Sequence, residues 1–543
     1  MRILLSILIA PLPLLAGAPA VGQTAAAPPA VSDSCQRLAS LAIPNANITM
    51  ASVVAAGTFN GPPNAYTGQD LSGFYKRLPG FCRVVVHAHP SADSDIAIET
   101  WMPVAGWNGK LQGIGNGGFA GQIDDFELGA GVAKGYAAAA TDTGHAAPIW
   151  DASWALNHPE KVADFGHRGI HEMTRVARLL TAQYYGSAPR RAYFAGCSDG
   201  GREALMEAQR YPQDYDGILA GDPANDWTAL QSSGVIDTQT LTATPESFIP
   251  QSKIPVIAHA VLAACDALDG VRDGILNDPR ECHFDPATIQ CKPGDDTAAC
   301  LTAPQVTVLR AIYAGVDDAS GRAIFPGYLP GAEEGPSGWG LWITGPAPGR
   351  SVIAALGRAY FSNMVYDDPH WDMKTFSLAT GLQAARQKTA TALDAVNPNL
   401  SAFRSRGGKL ILYHGWDDPA IPALSTVNYY EAVRARMGAE VTGSFARLFM
   451  LPGVQHCIGG PGADNIGASG ATMATDPERN ARLALENWVE KGTAPDTFIA
   501  TKGFGVGQPS AMTRLLCPFP QSAKYDGSGD ANSAASYACT APK

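Results

Sequence analysis

Gly196-Cys197-Ser198-Asp199-Gly200 is a G-x-S-x-G pentapeptide. It lies between a strand-like run, RRAYFA (190–195), and a helix-like run, REALMEAQ (202–209). A sharp strand-to-helix turn holds a nucleophilic serine in strained backbone, so its neighbours must be small. The turn lifts the hydroxyl above the sheet and sets a backbone N–H beside it. A serine hydroxyl is a poor nucleophile without a base. In such turns the acid follows the serine in the chain, and the histidine follows the acid. His414-Gly415-Trp416-Asp417-Asp418-Pro419-Ala420-Ile421-Pro422 comes after a strand-like run, GKLILY (408–413). Its spacing favours Asp418 as the acid, with Asp417 as the rival. One histidine follows residue 418: His456, in LPGVQHCIGG. Its expected role is to take the Ser198 proton and then protonate the leaving group. Asp418 would hold the imidazole tautomer and stabilise imidazolium.

These residues need elements that bring them together across more than 250 positions. RVVVH (83–87), DIAIETWMP (95–103), KLQGI (110–114) and YAAAAT (136–141) read as strands. So do DGILAGDP (216–223) and FARLFMLPG (445–453), each ending in a turn. Residues 167–186 carry a helical stripe at Met173, Val176, Leu179 and Leu180. Further helices are expected at 200–212, 425–438 and 476–492. Strands alternating with helices indicate an α/β fold with a mostly parallel sheet. The rhythm stops near residue 225 and resumes near 404. The catalytic unit is therefore expected at 33–224 and 404–543. Residues 225–403, loop-rich with scattered helices, form an insertion expected to act as a lid or substrate-binding domain.

The chain has 543 residues, 39 Lys+Arg and 50 Asp+Glu, a formal charge of −11. A nucleic-acid binder would show a basic excess or stripe, and none is visible. Arg2, the apolar run Ile3–Leu15 and the small-residue site Ala18-Pro19-Ala20 read as a signal peptide over 1–22. Residues 21–32 read as a disordered leader. No later segment reads as apolar enough to cross a bilayer, so no membrane partner is expected. Export, to the periplasm or outside the cell, makes disulfides the default for the ten cysteines. Metal-type C-x2-C pairs are absent. Cys265 with Cys282, Cys291 with Cys300, and Cys517 with Cys539 are local pairs, though spacing alone leaves connectivity open. Cys197 and Cys457 have a separate argument. Catalysis needs the Ser198 hydroxyl within ~3 Å of a His456 nitrogen. Their chain neighbours are thereby brought within the ~7 Å that a disulfide allows.

Cys-Ser at 197–198, Asp418 and His-Cys at 456–457 resemble the CS-D-HC arrangement of the tannase and feruloyl esterase family, which also includes mono(2-hydroxyethyl) terephthalate hydrolases. GNGGFAG (115–121), TDTGH (141–145), DFGHRGIHEMT (164–174), SGWGLWITG (337–345) and VYDDPHWD (365–372) are similar to family segments too. The resemblance spans nearly the whole mature chain. It implies an α/β-hydrolase core, a large lid inserted between nucleophile and acid, and esters of aromatic acids as substrates. It also implies the pairing Cys35–Cys82, Cys197–Cys457, Cys265–Cys282, Cys291–Cys300 and Cys517–Cys539.

An oxyanion hole needs two aimed N–H donors. One is expected from the Asp199 amide, the other from Gly118, with Gly117 as rival. Between Cys265 and Cys282, Asp266, Asp269 and Asp273 would repel one another unless solvated or bound to a cation. Hard oxygen donors suit Ca²⁺, though the spacing is not that of an EF-hand. The resemblance implies a structural calcium held by the side chains of Asp266, Asp269 and Asp273 and the carbonyls of Val271 and Ile275. Trp339, Tyr360 and Phe361 are candidates for aromatic pocket walls or for core. Asp199 is also a candidate for the pocket floor. The expected function is an exported serine esterase, acting by an acyl-enzyme on hydroxycinnamoyl esters. Galloyl esters or terephthalate monoesters are the alternatives. Rivals of other classes are a calcium-dependent binding protein on a dead hydrolase scaffold, and a peptidase. Oligomeric state is not legible.

Overall fold

The computed structural model describes residues 31–64, 68–470, 472, 474–503 and 511–541. The expected signal peptide lies outside them. Of the expected leader, Val31 and Ser32 already belong to a short helix, Val31–Arg37.

The main sheet has nine strands: β1 Ala46–Val54, β2 Phe81–Ala88, β3 Ile96–Pro103, β4 Lys110–Ile114, β5 Ala137–Thr141, β6 Arg191–Cys197, β7 Gly217–Gly221, β8 Lys409–Gly415 and β9 Ala446–Leu451. Their order is β1-β2-β3-β5-β4-β6-β7-β8-β9. From β5 onward every pairing is parallel, while β1, β2, β3 and β5 pair antiparallel. The sheet is thus mostly parallel, as expected, with an antiparallel edge formed by β1, β2 and β3. The sequence reading lacks β1, an edge strand with no fully buried residue and hence no strong apolar alternation.

The helices that matter to the site are α1 Asp125–Ala133, α2 Gly169–Tyr185, α3 Asp199–Arg210, α4 Trp227–Leu241, α5 Ile254–Cys265, α6 Ala303–Ala314, α7 Val352–Tyr360, α8 Leu378–Leu393, α9 Leu424–Met437 and α10 Ala481–Lys491. Parallel strands need both faces covered. On one face Val84, Ile98, Phe194, Ile218, Leu410 and Leu448 pack against Met173, Val176 and Leu180 of α2 and Val427 and Val433 of α9. On the other, Tyr193, Leu219, Ile411, Tyr413 and Phe449 meet Leu485 and Trp488 of α10. Each such apolar side chain contributes about 1.5–3 kcal/mol by burial. With side chains clamped from both sides, the strand ends that carry the chemistry are held in place.

Helices α4 to α8 all lie between β7 and β8, so this stretch is more helical than its Gly and Pro content suggests. Ile257 and Val261 of α5, Leu309 and Ile312 of α6 and Trp339 build a core of their own. A second cluster joins Trp227, Phe361, Met364 and Leu393 to Phe119, Ala420 and Ile421 of the sheet unit. The latter three follow β4 and β8, so the insertion sits over the C-terminal edge of the sheet. One correction concerns membranes. Residues 245–269, with an 18-residue window of mean hydropathy 1.3, are long and apolar enough to span a bilayer by length and composition alone. In the fold this stretch is broken into short helices, and Ile254, Ile257 and Val261 are buried in the insertion core.

Candidate active site

Ser198 stands at the turn from β6 into α3 with φ 65° and ψ −121°. Left-handed φ at a non-glycine residue costs on the order of 1–3 kcal/mol and persists only where the surroundings impose it. The turn is tight enough that a Cβ on Gly196 would lie 2.5 Å from the Gly200 carbonyl oxygen. The Ser198 hydroxyl is 2.9 Å from Nε2 of His456 and donates to it. His456 Nδ1–H donates to Asp418 Oδ2 at 2.7 Å. Asp418 Oδ1 accepts the amides of Ala420 at 2.7 Å and Ile421 at 3.0 Å, which fixes its rotation. Residues from β6, the turn after β8 and the loop after β9 thus meet in one hydrogen-bonded series. Burial alone would raise the Asp418 pKa. Two imidazoles more than offset it and hold the carboxyl well below the usual carboxylate range. Burial opposes charge on His456, but Asp418, with help from Asp222, holds its pKa above the ordinary imidazole value. The series can therefore take a proton from Ser198 and hold it as imidazolium.

Asp417, the rival acid, is buried elsewhere. Its amide donates to Val454 O, and its carboxyl is raised by burial and by Glu333. Cys197 and Cys457 are bonded, Cα to Cα 6.0 Å across a sequence separation of 260. The other four bridges are Cys35–Cys82, Cys265–Cys282, Cys291–Cys300 and Cys517–Cys539, so no cysteine is free.

The Asp199, Gly117 and Gly118 amides all border the site cavity and have no acceptor among the described residues. Gly118 has φ 59°, and a Cβ there would lie 2.4 Å from Ile149 O, so only glycine fits. This loop is stapled to α3: Gly200 N–H donates to Asn116 O at 2.8 Å, and Asn116 N–H to Glu203 Oε2 at 2.8 Å. The Asp199 carboxylate, almost fully buried, is bonded to Arg202 at 2.6 Å. Arg202 also donates to Gly166 O and Phe165 O and lies over the Phe165 and Trp227 rings. The DFGHR stretch is a π-helical turn that supplies those two carbonyls.

The cavity holds about 510 Å³. Trp150, Trp227, Tyr328 and Trp342 border it, with Leu230 and Leu356. Trp342 meets the His456 ring edge-on at 5.2 Å. Trp339, Tyr360 and Phe361 do not line it; each is fully buried in core. SGWGLWITG carries two tryptophans three residues apart, and only packing separates the core one from the pocket one.

Three residues of the site escaped the sequence reading. Asp222 follows β7 with φ 37°. His414, at the end of β8, contacts Asp418 at 3.1 Å. Thr426 of α9 bonds His414 Nδ1 at 2.7 Å. The available signal was position: a polar residue directly after a buried strand, on the sheet edge that carries Ser198. Among the described residues, two donor groups are close enough to hold a metal, Cys197–Asp222–Cys457 and Asp222–His414–Asp418. The first offers disulfide sulfurs, and the carboxylates of both accept N–H groups.

In the acidic loop, Asp266 accepts the Gly274 amide, Asp269 those of Val271 and Asn277, and Asp273 that of Ile275. Arg514 donates to Asp273 at 2.7 Å. Burial, then Asp273 and Asp266, push the Asp269 carboxyl up to about 6. The donors are all oxygen and mutually repelling, which fits a hard cation. They are not gathered within the 4.8 Å spread of the two donor groups above.

A serine, an imidazole and a carboxylate bonded in series at the C-terminal edge of a doubly covered sheet are the arrangement of the α/β-hydrolase class. The chain belongs to the tannase and feruloyl esterase family, whose model matches residues 82–540. It is a carboxylic ester hydrolase. An uncharacterised esterase of Xanthomonas campestris pv. campestris is 39% identical over 94% of this chain and 91% of its own. A probable feruloyl esterase B-1 of Aspergillus terreus is 33% identical over 90% and 91%. The mono(2-hydroxyethyl) terephthalate hydrolase of Piscinibacter sakaiensis is 34% identical over 82% of each chain. The crystal structure of feruloyl esterase B from Aspergillus oryzae superposes with a TM-score of 0.85 at 27% identity, covering 94% of this chain and 100% of that one.

Proposed function

We propose that the protein is an exported serine esterase that cleaves hydroxycinnamoyl esters through an acyl-enzyme. The observation that carries this is the unbroken series Ser198–His456–Asp418 opening into a cavity walled by Trp150, Trp227, Tyr328 and Trp342. Ser198 Oγ attacks the ester carbonyl as His456 Nε2 takes its proton. The Asp199 amide and the Gly118 amide, with Gly117 as its rival, bind the oxyanion. His456 then protonates the departing alkoxide, and water activated by the same imidazole releases the acid. Asp199 serves through its backbone, while Arg202 neutralises its side chain beside the developing negative charge.

The insertion (225–403) acts as the lid and builds most of the acyl wall, and residues 33–224 with 404–543 form the catalytic unit. The five bridges favour an oxidising compartment, and with the leader they support export. Asp266, Asp269 and Asp273, with the Val271 and Ile275 carbonyls, would hold a structural calcium.

Comparing kcat/KM for methyl ferulate, methyl gallate and mono(2-hydroxyethyl) terephthalate tests the substrate. Preference for gallate or terephthalate would displace the hydroxycinnamoyl reading. Undiminished turnover by Ser198→Ala would sink the mechanism.

A further inference from the structure

Asp418 is gripped by two imidazoles, of which the catalytic reading uses one. His414 lies four residues before it and is fully buried. Its Nε2 faces oxygens only: Ile421 O at 3.0 Å, Asp418 Oδ2 at 3.1 Å and Asp222 Oδ1 at 3.7 Å. All three are acceptors, so Nε2 carries the hydrogen. Nδ1 is held at 2.7 Å by the Thr426 hydroxyl of α9. Both ring nitrogens are thus committed, and the ring cannot turn without breaking two bonds in a buried site.

We infer that His414 is a positioning residue for the reaction: its Nε2–H is shared between Ile421 O and the same Asp418 Oδ2 that accepts the Nδ1–H of His456. The inference rests on the reading of Ser198, His456 and Asp418 as the catalytic series. It makes that series longer, running from Ser198 through His456 and Asp418 to His414 and Thr426. Two consequences follow from the shared oxygen. A second donor on Oδ2 adds to the hold of the Ala420 and Ile421 amides on Oδ1, and so steadies the direction in which His456 points at Ser198. It also spreads the Asp418 charge over two partners, so that His456 remains a base near neutral pH instead of being locked as imidazolium. The titratable groups facing this cluster are Asp222, from the turn after β7, His456, from the loop after β9, and Tyr328, from the insertion. Asp222 stands beside His414 with both oxygens engaged, by the amides of Gly415 and Cys457.

Two isosteres separate the bond from the fold. In His414→Gln the amide nitrogen can occupy the place of Nε2 and still donate to Asp418. In His414→Asn the amide reaches only as far as Nδ1, keeping the Thr426 contact and losing Asp418. Each is assayed on methyl ferulate beside Ser198→Ala, with the melting temperature measured for every variant. The expected result for His414→Asn is a kcat lower by about 10- to 100-fold, the range of a lost second-layer partner. Its KM should stay within about twofold, and the acid limb of kcat/KM should move up by roughly half a pH unit or more, because Asp418 now serves His456 alone. His414→Gln should recover most of the rate and the original limb. Equal activity of the two variants at comparable melting temperature, whether both high or both low, would overturn the inference while leaving the catalytic series intact. A low melting temperature in both, with rates restored on cooling, would overturn it too, since it would assign His414 to the fold alone. Retained turnover by Ser198→Ala would instead remove the reading beneath it.

Discussion

The carboxylate of Asp222 accepts the backbone amide of Cys457 at 2.6 Å, so the residue after β7 holds the residue after the histidine. The other oxygen of Asp222 accepts the Gly415 amide at 2.8 Å, at the end of the strand that leads to Asp418. One buried carboxylate therefore spans the loops of base and acid. Cys457 is held with φ 62°, and this bond is part of what maintains that strain.

Asp222→Asn replaces one acceptor by an amide NH₂ that faces an N–H. Removing a charge-assisted hydrogen bond costs about 1.5–3 kcal/mol. The expected outcome is a loss of that order in denaturant-derived stability and a kcat lowered by about tenfold or more as His456 loosens. Unchanged stability and rate would assign Asp222 no part in the site.

The Cys197–Cys457 bridge closes a loop of 260 residues around the insertion. Chain-entropy models assign such a closure about 5 kcal/mol. Cys197→Ala/Cys457→Ala should unfold at markedly lower denaturant and lose most turnover, since nucleophile and base lose their tie. Urea titration followed by both fluorescence and activity checks this.

His456 must be neutral to accept the Ser198 proton. Burial disfavours its charge, but Asp418 and Asp222 hold its pKa above the model-peptide value of about 6.5. Activity should therefore rise with pH along an acid limb that lies above about 6.5. The sign for stability is opposite. A raised folded pKa stabilises the protein fully below the unfolded value, and this contribution fades as pH rises through the folded one. A kcat/KM profile over pH 5 to 9 reads the first, and an acid limb centred below about 6 would contradict it.

Calcium removal separates the acidic loop from a merely solvated one. Dialysis against EDTA should release one calcium per chain and lower the melting temperature, with recovery on adding Ca²⁺ but not Mg²⁺, which prefers smaller octahedral sites. Elemental analysis showing no calcium would end the assignment. Ile275 packs against the loop of Gly453, which leads to His456, so the loss should reach the base-bearing loop as well.

Leu230→Trp adds an indole to the cavity wall. The expected outcome is a kcat/KM for methyl ferulate lower by about tenfold, with p-nitrophenyl acetate far less affected, because overpacking excludes the large acyl group first. Equal losses on both esters would place the aromatic ring elsewhere.

Local signals made the Ser198 turn, the order of Ser198, Asp418 and His456, and most strands legible from the chain alone. A strand-to-helix turn writes itself in small residues, and buried strands write themselves in apolar runs. The bond between Cys197 and Cys457 followed because each adjoins a residue that chemistry forces to meet. The reading that Asp418, rather than Asp417, faces the imidazole was a preference of spacing that the tertiary structure decided: adjacent side chains leave a turn in different directions. The same holds for Trp342, which borders the cavity, against Trp339, which is core. Asp222 and His414 carried only a positional signal, a polar residue at the end of a buried strand, and the chain alone did not say what they hold. Their roles come from the parallel order β6-β7-β8-β9, which sets the ends of strands distant in sequence side by side on one edge. Chain order can name the reacting groups, but the residues that hold them are chosen by which strand lies next to which.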